Sequence, residues 1–131
     1  MRLNDAKKDH YRKLAKEQGY RSRASFKLIQ LNQKYNLIRS NDYVIDLGAA
    51  PGGWLQVASK IVEPNGKVIG VDLLPIKEIE DNVVIFQDNI HRKGIEIEII
   101  EVLKKKANVV LSDLAPNISG IWKMDHNKQI N

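Results

Sequence analysis

The chain has 131 residues, 43% hydrophobic and 28% charged, with no cysteine and a formal net charge of +5. A length of this order suits one domain with a single core, and the composition is that of a soluble globular protein. It excludes a disulfide framework, a thiolate metal site and a cysteine nucleophile, and no apolar run approaches the roughly 20 residues that span a bilayer.

From the N-terminus, Met1 to Lys8 shows no apolar targeting segment, and a cytoplasmic location with no membrane partner is expected. Residues 5–18 read as a polar, basic helix capped by Asp5, with Tyr11, Leu14 and Ala15 as a thin apolar stripe and Gly19 as its stop. Ser22 is a candidate cap for a second helix over 24–36, whose Phe26, Leu28, Ile29 and Leu31 recur at helical spacing and should face the core. A strand over 41–46, a helix over 53–61, a Pro64-Asn65-Gly66 turn and a strand over 67–72 follow. A third strand over 82–86, a helix over 94–106 and a fourth strand over 108–113 complete the series. The helix closes on Lys104-Lys105-Lys106, either placed at the negative end of its dipole or simply solvated.

Strands alternating with helices imply right-handed βαβ units and a mainly parallel sheet. The expectation is an α/β, Rossmann-like core over 41–131 behind a basic helical segment over 1–40, forming one structural domain. Residues 1–39 hold eleven Lys/Arg against three acids, a local excess of +8 that leaves about −3 for the rest. A basic front on a nearly neutral body points to nucleic acid; the alternative is a solubilising helix surface. Lys7, Lys8, Arg12, Arg21 and Arg23 are the candidates for phosphate contacts. Tyr11 and Tyr20 either stack on an unpaired base or pack against the second helix.

The stretch Val44-Ile45-Asp46-Leu47-Gly48-Ala49-Ala50-Pro51-Gly52-Gly53-Trp54 joins a strand to a helix through a glycine-rich loop, where backbone can approach a ligand closely. Trp54 follows Gly53 where an NTPase loop would carry lysine and a hydroxyl, and Ala50 stands where a nicotinamide fingerprint would carry its second glycine. Asp46, Asp72, Asp88 and Asp113 each end a strand at one sheet edge, where an open parallel sheet binds its ligand. A site ringed by acids favours a nucleoside that carries positive charge over one that carries phosphates, and S-adenosylmethionine fits. Asp72 would take the ribose, Asp88 the adenine end, and Asp113 the methionine end near the transferable methyl. His10, His91 and His126 show no metal-ligand spacing, and no metal is assigned.

Three motifs in order resemble the FtsJ-like ribose 2′-O-methyltransferases: Ser22-Arg23-Ala24-Ser25-Phe26-Lys27-Leu28, Asp46 to Trp54, and Ser112-Asp113-Leu114-Ala115-Pro116-Asn117-Ile118-Ser119-Gly120. The similarity runs from about residue 9 to residue 126 and leans to archaeal or eukaryotic-type members. It implies a cytoplasmic enzyme that moves a methyl group from S-adenosylmethionine to a ribose 2′-hydroxyl, typically of a uridine in large-subunit ribosomal RNA. Some relatives act on transfer RNA. By that resemblance Lys27 is the first lysine and Asp113 the aspartate of a Lys-Asp-Lys-Glu catalytic set. Gly48, Gly52 and Trp54 fall on the cofactor loop, with Trp54 as plain core packing the rival reading.

Family members continue beyond the equivalent of Asn131 with further strands, the second lysine and the glutamate. Lys123 and Lys128 stand too close behind the third motif to match that lysine. A four-stranded sheet would leave one edge of Val109–Asp113 unpaired. A fragment, half of a split enzyme with a complementing C-terminal chain, and a catalytically incomplete cofactor- or RNA-binding module all fit.

Overall fold

The computed structural model describes the backbone of residues 3–115 and 118–123, and the side chains of residues 6 and 9–112. In chain order its elements are α1 (Leu3–Glu17), α2 (Ala24–Tyr35), β1 (Tyr43–Leu47), α3 (Gly53–Ile61), β2 (Lys67–Asp72), β3 (Val83–Gln87), α4 (Ile95–Leu103), β4 (Val109–Ala115) and β5 (Ile118–Lys123). The strands form one sheet in the order β3-β2-β1-β4-β5. Pairing is parallel between β1 and β2, β1 and β4, and β2 and β3, while β5 runs antiparallel to β4.

Strand residues divide cleanly between the two faces because successive side chains alternate. Val44, Val68, Val109 and Leu111 join Leu55, Ala58 and Val62 of the α3 side, together with Leu28 of α2 and Ile38. Ile69 and Val71 point the other way, onto Ile95, Ile99 and Leu103 of α4, with Tyr43, Ile45 and Leu47 at the margin. Both faces are covered, which is why these strands read as continuous apolar runs rather than as alternating ones. Leu28, Leu55, Ile69 and Leu111 are fully buried, each contributing about 1.5–3 kcal/mol by leaving water.

The sheet departs from the expected four strands. β5 lies along the far edge of β4, from Val109↔Lys123 to Ala115↔Ile118 with an irregular step between Ser112 and Ala115, so that edge is paired. The overlooked signal is Pro116-Asn117, a turn pair, followed by the β-formers Ile118, Ile121 and Trp122. Two helix limits and one cap also differ. Asp5 lies inside α1 and is not its cap; α2 begins at Ala24 as expected, but its N-cap is Arg23, with no side-chain cap bond, and not Ser22. α4 ends at Leu103, with Lys104 at φ 63° as its left-handed C-cap, so the lysine run follows the helix rather than forming its last turn. Lys105 then places its ammonium 3.9 Å from the centroid of the Tyr43 ring. The first strand starts at Tyr43 because Asn41 sits at φ 69°.

Because Lys104 is exposed and holds a conformation that costs an L side chain, Lys104→Gly is expected to stabilise the fold by about 0.5–1 kcal/mol. A thermal or urea unfolding comparison with the wild type checks this; an unchanged midpoint would show that the lysine adopts the turn at no cost.

Candidate cofactor and RNA site

β1 runs into Gly48, and the loop closes at Gly52 (φ 113°), the N-cap of α3. The N–H groups of Gly48 and Ala49 both donate to the Val71 carbonyl, at 2.8 and 3.1 Å. Ala50 donates to Asp72 Oδ2 at 2.8 Å, and Leu74 donates to Asp72 Oδ1 at 2.9 Å. Three loop donors are therefore turned onto β2 and do not form a phosphate cradle. The Asp72 carboxylate ties the loop after β1 to the chain after β2, and each oxygen keeps lone-pair capacity for a ligand hydroxyl. Beside it Leu73 and Leu74 stand 68% and 63% exposed, an apolar surface next to an acid.

A cavity of about 170 Å³ opens at this loop, with Ser22, Asp46, Gly48, Pro51 and Trp54 in its wall. Asp46 does not end its strand as the sequence count assumed; it lies within β1 and is only 2% exposed, on the same face as Val44. Trp54 packs in the core and also reaches the cavity wall. It is 6% exposed in the α3-side core, lines the cavity, and donates from Nε1 to the Ala24 carbonyl at 2.8 Å. Asp88 stands just past β3, where its N–H donates to the Asp72 carbonyl at 2.9 Å. Its carboxylate accepts from Asn89 N–H at 2.7 Å and from Arg92 Nε at 2.9 Å. Arg92 also donates to Glu98, and these bonds, Glu98 first and Asp88 second, hold its proton more firmly than usual. Asp113 lies in β4 one residue beyond Ser112, the partner of Leu47; its side chain is outside the described residues.

Ser22, which opens the first motif, has a different task from capping. Its hydroxyl and that of Ser25 press on Gly53, where an added Cβ would fall 2.4 and 2.6 Å from the two oxygens. The start of α2 thus sits directly on the start of α3. A groove of about 430 Å³ lies on the outer side of this junction, lined by Tyr11, Ser22, Arg23, Phe26, Lys27 and Gln30. Ser22 and Ala24 line both the groove and the loop cavity, so exposed Lys27 lies in a hollow that shares a wall with the glycine-loop cavity.

The basic candidates separate. Arg23 is exposed in the groove wall, and Arg12 is exposed with only a loose 3.8 Å pairing to Asp9. Lys7 and Lys8 lie on α1, their side chains outside the described residues. Arg21 departs from expectation: its guanidinium donates to the carbonyls of Pro51, Lys77 and Glu78. Tyr11 and Tyr20 each pack on Phe26, with ring centroids 5.7 Å apart, and Lys60 sits over Tyr20 at 5.1 Å. Sequence reading missed Gln56, whose amide accepts from Arg21 N–H at 2.8 Å and donates to the Gly19 carbonyl at 3.0 Å. Among the described residues no group of His, Cys, Asp or Glu could hold a metal ion, and no helix is long and apolar enough to cross a membrane.

The family described as FtsJ-like methyltransferase matches residues 20–131. A protein of Nitrosopumilus maritimus named ribosomal RNA large subunit methyltransferase E is 48% identical over 130 residues, which is 99% of this chain and 66% of that protein. A protein of the same name from Methanocaldococcus jannaschii is 52% identical over 128 residues, 95% of this chain and 52% of the relative. A solved ribosomal RNA methyltransferase from Plasmodium falciparum superposes with a TM-score of 0.65 at 35% identity, covering 73% of this chain and 57% of that one. The chain thus spans about half to two-thirds of the length of these proteins.

Proposed function

Since the chain belongs to the FtsJ-like methyltransferase family, we propose that it binds S-adenosylmethionine and serves methyl transfer to a ribose 2′-hydroxyl of RNA. The target we favour is a uridine in large-subunit ribosomal RNA, presented free or within the subunit in the cytoplasm. The observation that carries the reading is the shared wall: Ser22 and Ala24 separate a glycine-loop cavity from a groove that holds Lys27 and Arg23. One side suits a cofactor and the other a polyanion, and Ser22 and Ala24 are common to both.

The residues fit this cofactor better than a phosphate-bearing one. The loop donors at Gly48, Ala49 and Ala50 are already engaged, Asp46 lines the loop cavity, and Leu73 and Leu74 offer apolar surface beside Asp72. Asp72 would hold the ribose hydroxyls, Asp88 the adenine end and Asp113 the methionine end, with Gly48, Gly52 and Trp54 shaping the loop. S-adenosylmethionine supplies an electrophilic methyl group. A ribose hydroxyl is a poor nucleophile at neutral pH, so positioning and charge carry the step. Lys27 orients that hydroxyl and steadies the developing alkoxide as a fixed positive charge, with Asp113 as the family's aspartate. Arg12, Arg23, Lys7 and Lys8 would meet phosphates and set the register of the RNA without reading its sequence.

Calorimetric titration of the chain with S-adenosylmethionine tests the reading, with Asp72→Ala alongside. Saturable binding is expected, weakened in the variant by about 1–3 kcal/mol, or roughly 5- to 150-fold. Unchanged affinity in Asp72→Ala would remove the cofactor from the end of β2. No binding by folded wild type would transfer completion of the site to residues outside these 131, the complementing-chain reading.

A further inference from the structure

We infer that Arg21 is a positioning residue for the cofactor loop, clamping it to the connection between β2 and β3, and is not a phosphate contact. Its Nη1 donates to the Pro51 carbonyl at 3.1 Å and to the Lys77 carbonyl at 2.7 Å, while Nη2 donates to the Glu78 carbonyl at 2.7 Å. These acceptors lie 30, 56 and 57 positions away in sequence, on two separate segments. Bonds from a guanidinium are about twice as strong as neutral ones, and its planar fork suits several fixed acceptors at once.

The base of the clamp is itself held. Gln56 of α3 accepts from the Arg21 N–H and donates to the Gly19 carbonyl, fixing the backbone from which the side chain reaches. The far end is packed as well as bonded. A Cβ on Gly52 would meet Arg21 Nη1 at 3.1 Å, Ile79 Cδ1 at 3.1 Å and Ile76 Cγ2 at 3.3 Å, so all four residues are in close contact. Ile76 and Ile79 in turn rest on the α3-side core. Asp72 grips the start of this connection through Leu74, and Arg21 grips its middle. Between them they set how far the connection stands from the glycine loop, and hence the width of the crevice. The clamp arises two residues before Arg23, so the RNA-facing turn and the cofactor loop share one anchor.

The inference rests on the proposed function only for the ligand used to read it out. Arg21→Lys in the 131-residue chain keeps the charge and removes the fork, with Arg21→Ala as the deletion. Amide hydrogen exchange of the unliganded protein is expected to quicken at least about tenfold over residues 52–56 and 77–80 in Arg21→Lys, with β1, β4 and α4 unchanged. Affinity for S-adenosylmethionine should fall at least about tenfold, while affinity for a single-stranded oligouridylate stays within about twofold of wild type. A phosphate contact would give the reverse pattern, with Arg21→Ala losing oligonucleotide and both variants keeping cofactor, and would overturn the inference. So would exchange that is unchanged, exchange that rises throughout the chain, or local loosening with cofactor affinity intact. If wild type binds no S-adenosylmethionine, completion of the cofactor site passes to residues outside these 131, and the local exchange result alone decides whether Arg21 is the clamp.

Discussion

Lys27→Ala is expected to lower methyl transfer to RNA by at least about 10²–10³-fold, the cost of removing one preorganised charge from a developing oxyanion, while cofactor affinity stays within about twofold. The fold should not suffer. α2 is anchored by Ser25 and Leu28, both at 0% exposure, whereas Lys27 projects from the opposite side into the groove. The loop cavity should be equally indifferent, because the groove touches it through Ser22 and Ala24 and Lys27 stands in the groove wall, not in the described wall of the loop cavity. Lys27→Arg is expected to rescue little, since a planar fork does not reproduce a compact ammonium. Transfer of a labelled methyl group by the whole protein, read beside calorimetry, separates the cases. Retained transfer in Lys27→Ala would move the hydroxyl-orienting role elsewhere; parallel loss of cofactor binding would make Lys27 part of the loop cavity.

Gly66→Ala is expected to be the most damaging small change to the fold, at about 3 kcal/mol. The added methyl would lie 2.4 Å from the Asp42 carbonyl oxygen, 2.4 Å from Val62 Cβ and 2.5 Å from the Val62 carbonyl oxygen. Two of those three are backbone atoms, and neither can turn aside as a surface side chain would. Both are also in use: Gly66 N–H donates to Val62 at 2.8 Å and Lys67 N–H to Asp42 at 3.2 Å, and Val62 is fully buried. For a domain of this size the unfolding midpoint should fall by about 10 °C. The turn lies at the end of the sheet away from the glycine loop, so cofactor affinity measured below the transition should be retained. An unchanged midpoint would mean that the turn opens freely.

Much of this was legible because two kinds of signal are local. Val44-Ile45, Val68-Ile69 and Val109-Val110-Leu111 are apolar runs bounded by turn residues, and such runs have few alternatives to a buried parallel strand. The glycine loop was equally plain, since its spacing and its flanking strand and helix are contiguous. What escaped was set by residues distant in sequence. Arg21 reads as one more cation of a basic segment until the carbonyls of Pro51, Lys77 and Glu78 are brought to it. Ser22 reads as a helix cap, yet it packs against Gly53, some thirty positions away. Asp46 looks like a strand end because a glycine turn follows so soon, yet β1 runs one residue further, to Leu47. β5 escaped for another reason: its Ile118-Ser119-Gly120 start belongs to the third motif and was read as part of a site rather than as backbone seeking a partner. The catalytic roles proposed for Lys27 and Asp113 rest on resemblance, and the fold adds the location of Lys27 beside the loop.

The central place of β1 bears on how the chain comes to be folded at all. β1 pairs with β2, which follows it closely, and with β4, which does not. The second junction is sealed by Tyr43 N–H donating to Asn108 Oδ1 and Asn108 N–H to the Tyr43 carbonyl, both at 2.7 Å across 65 positions. Closing so long a loop costs entropy before any strand bond repays it, which makes this a slow step. On a ribosome building the chain from its N-terminus, everything through β3 emerges while that edge of β1 is still bare, a template for any stray strand. β4 and β5, joined by a short connection, form a local hairpin that can dock as one piece. The interval before it arrives is when the nascent polypeptide is most exposed to mispairing.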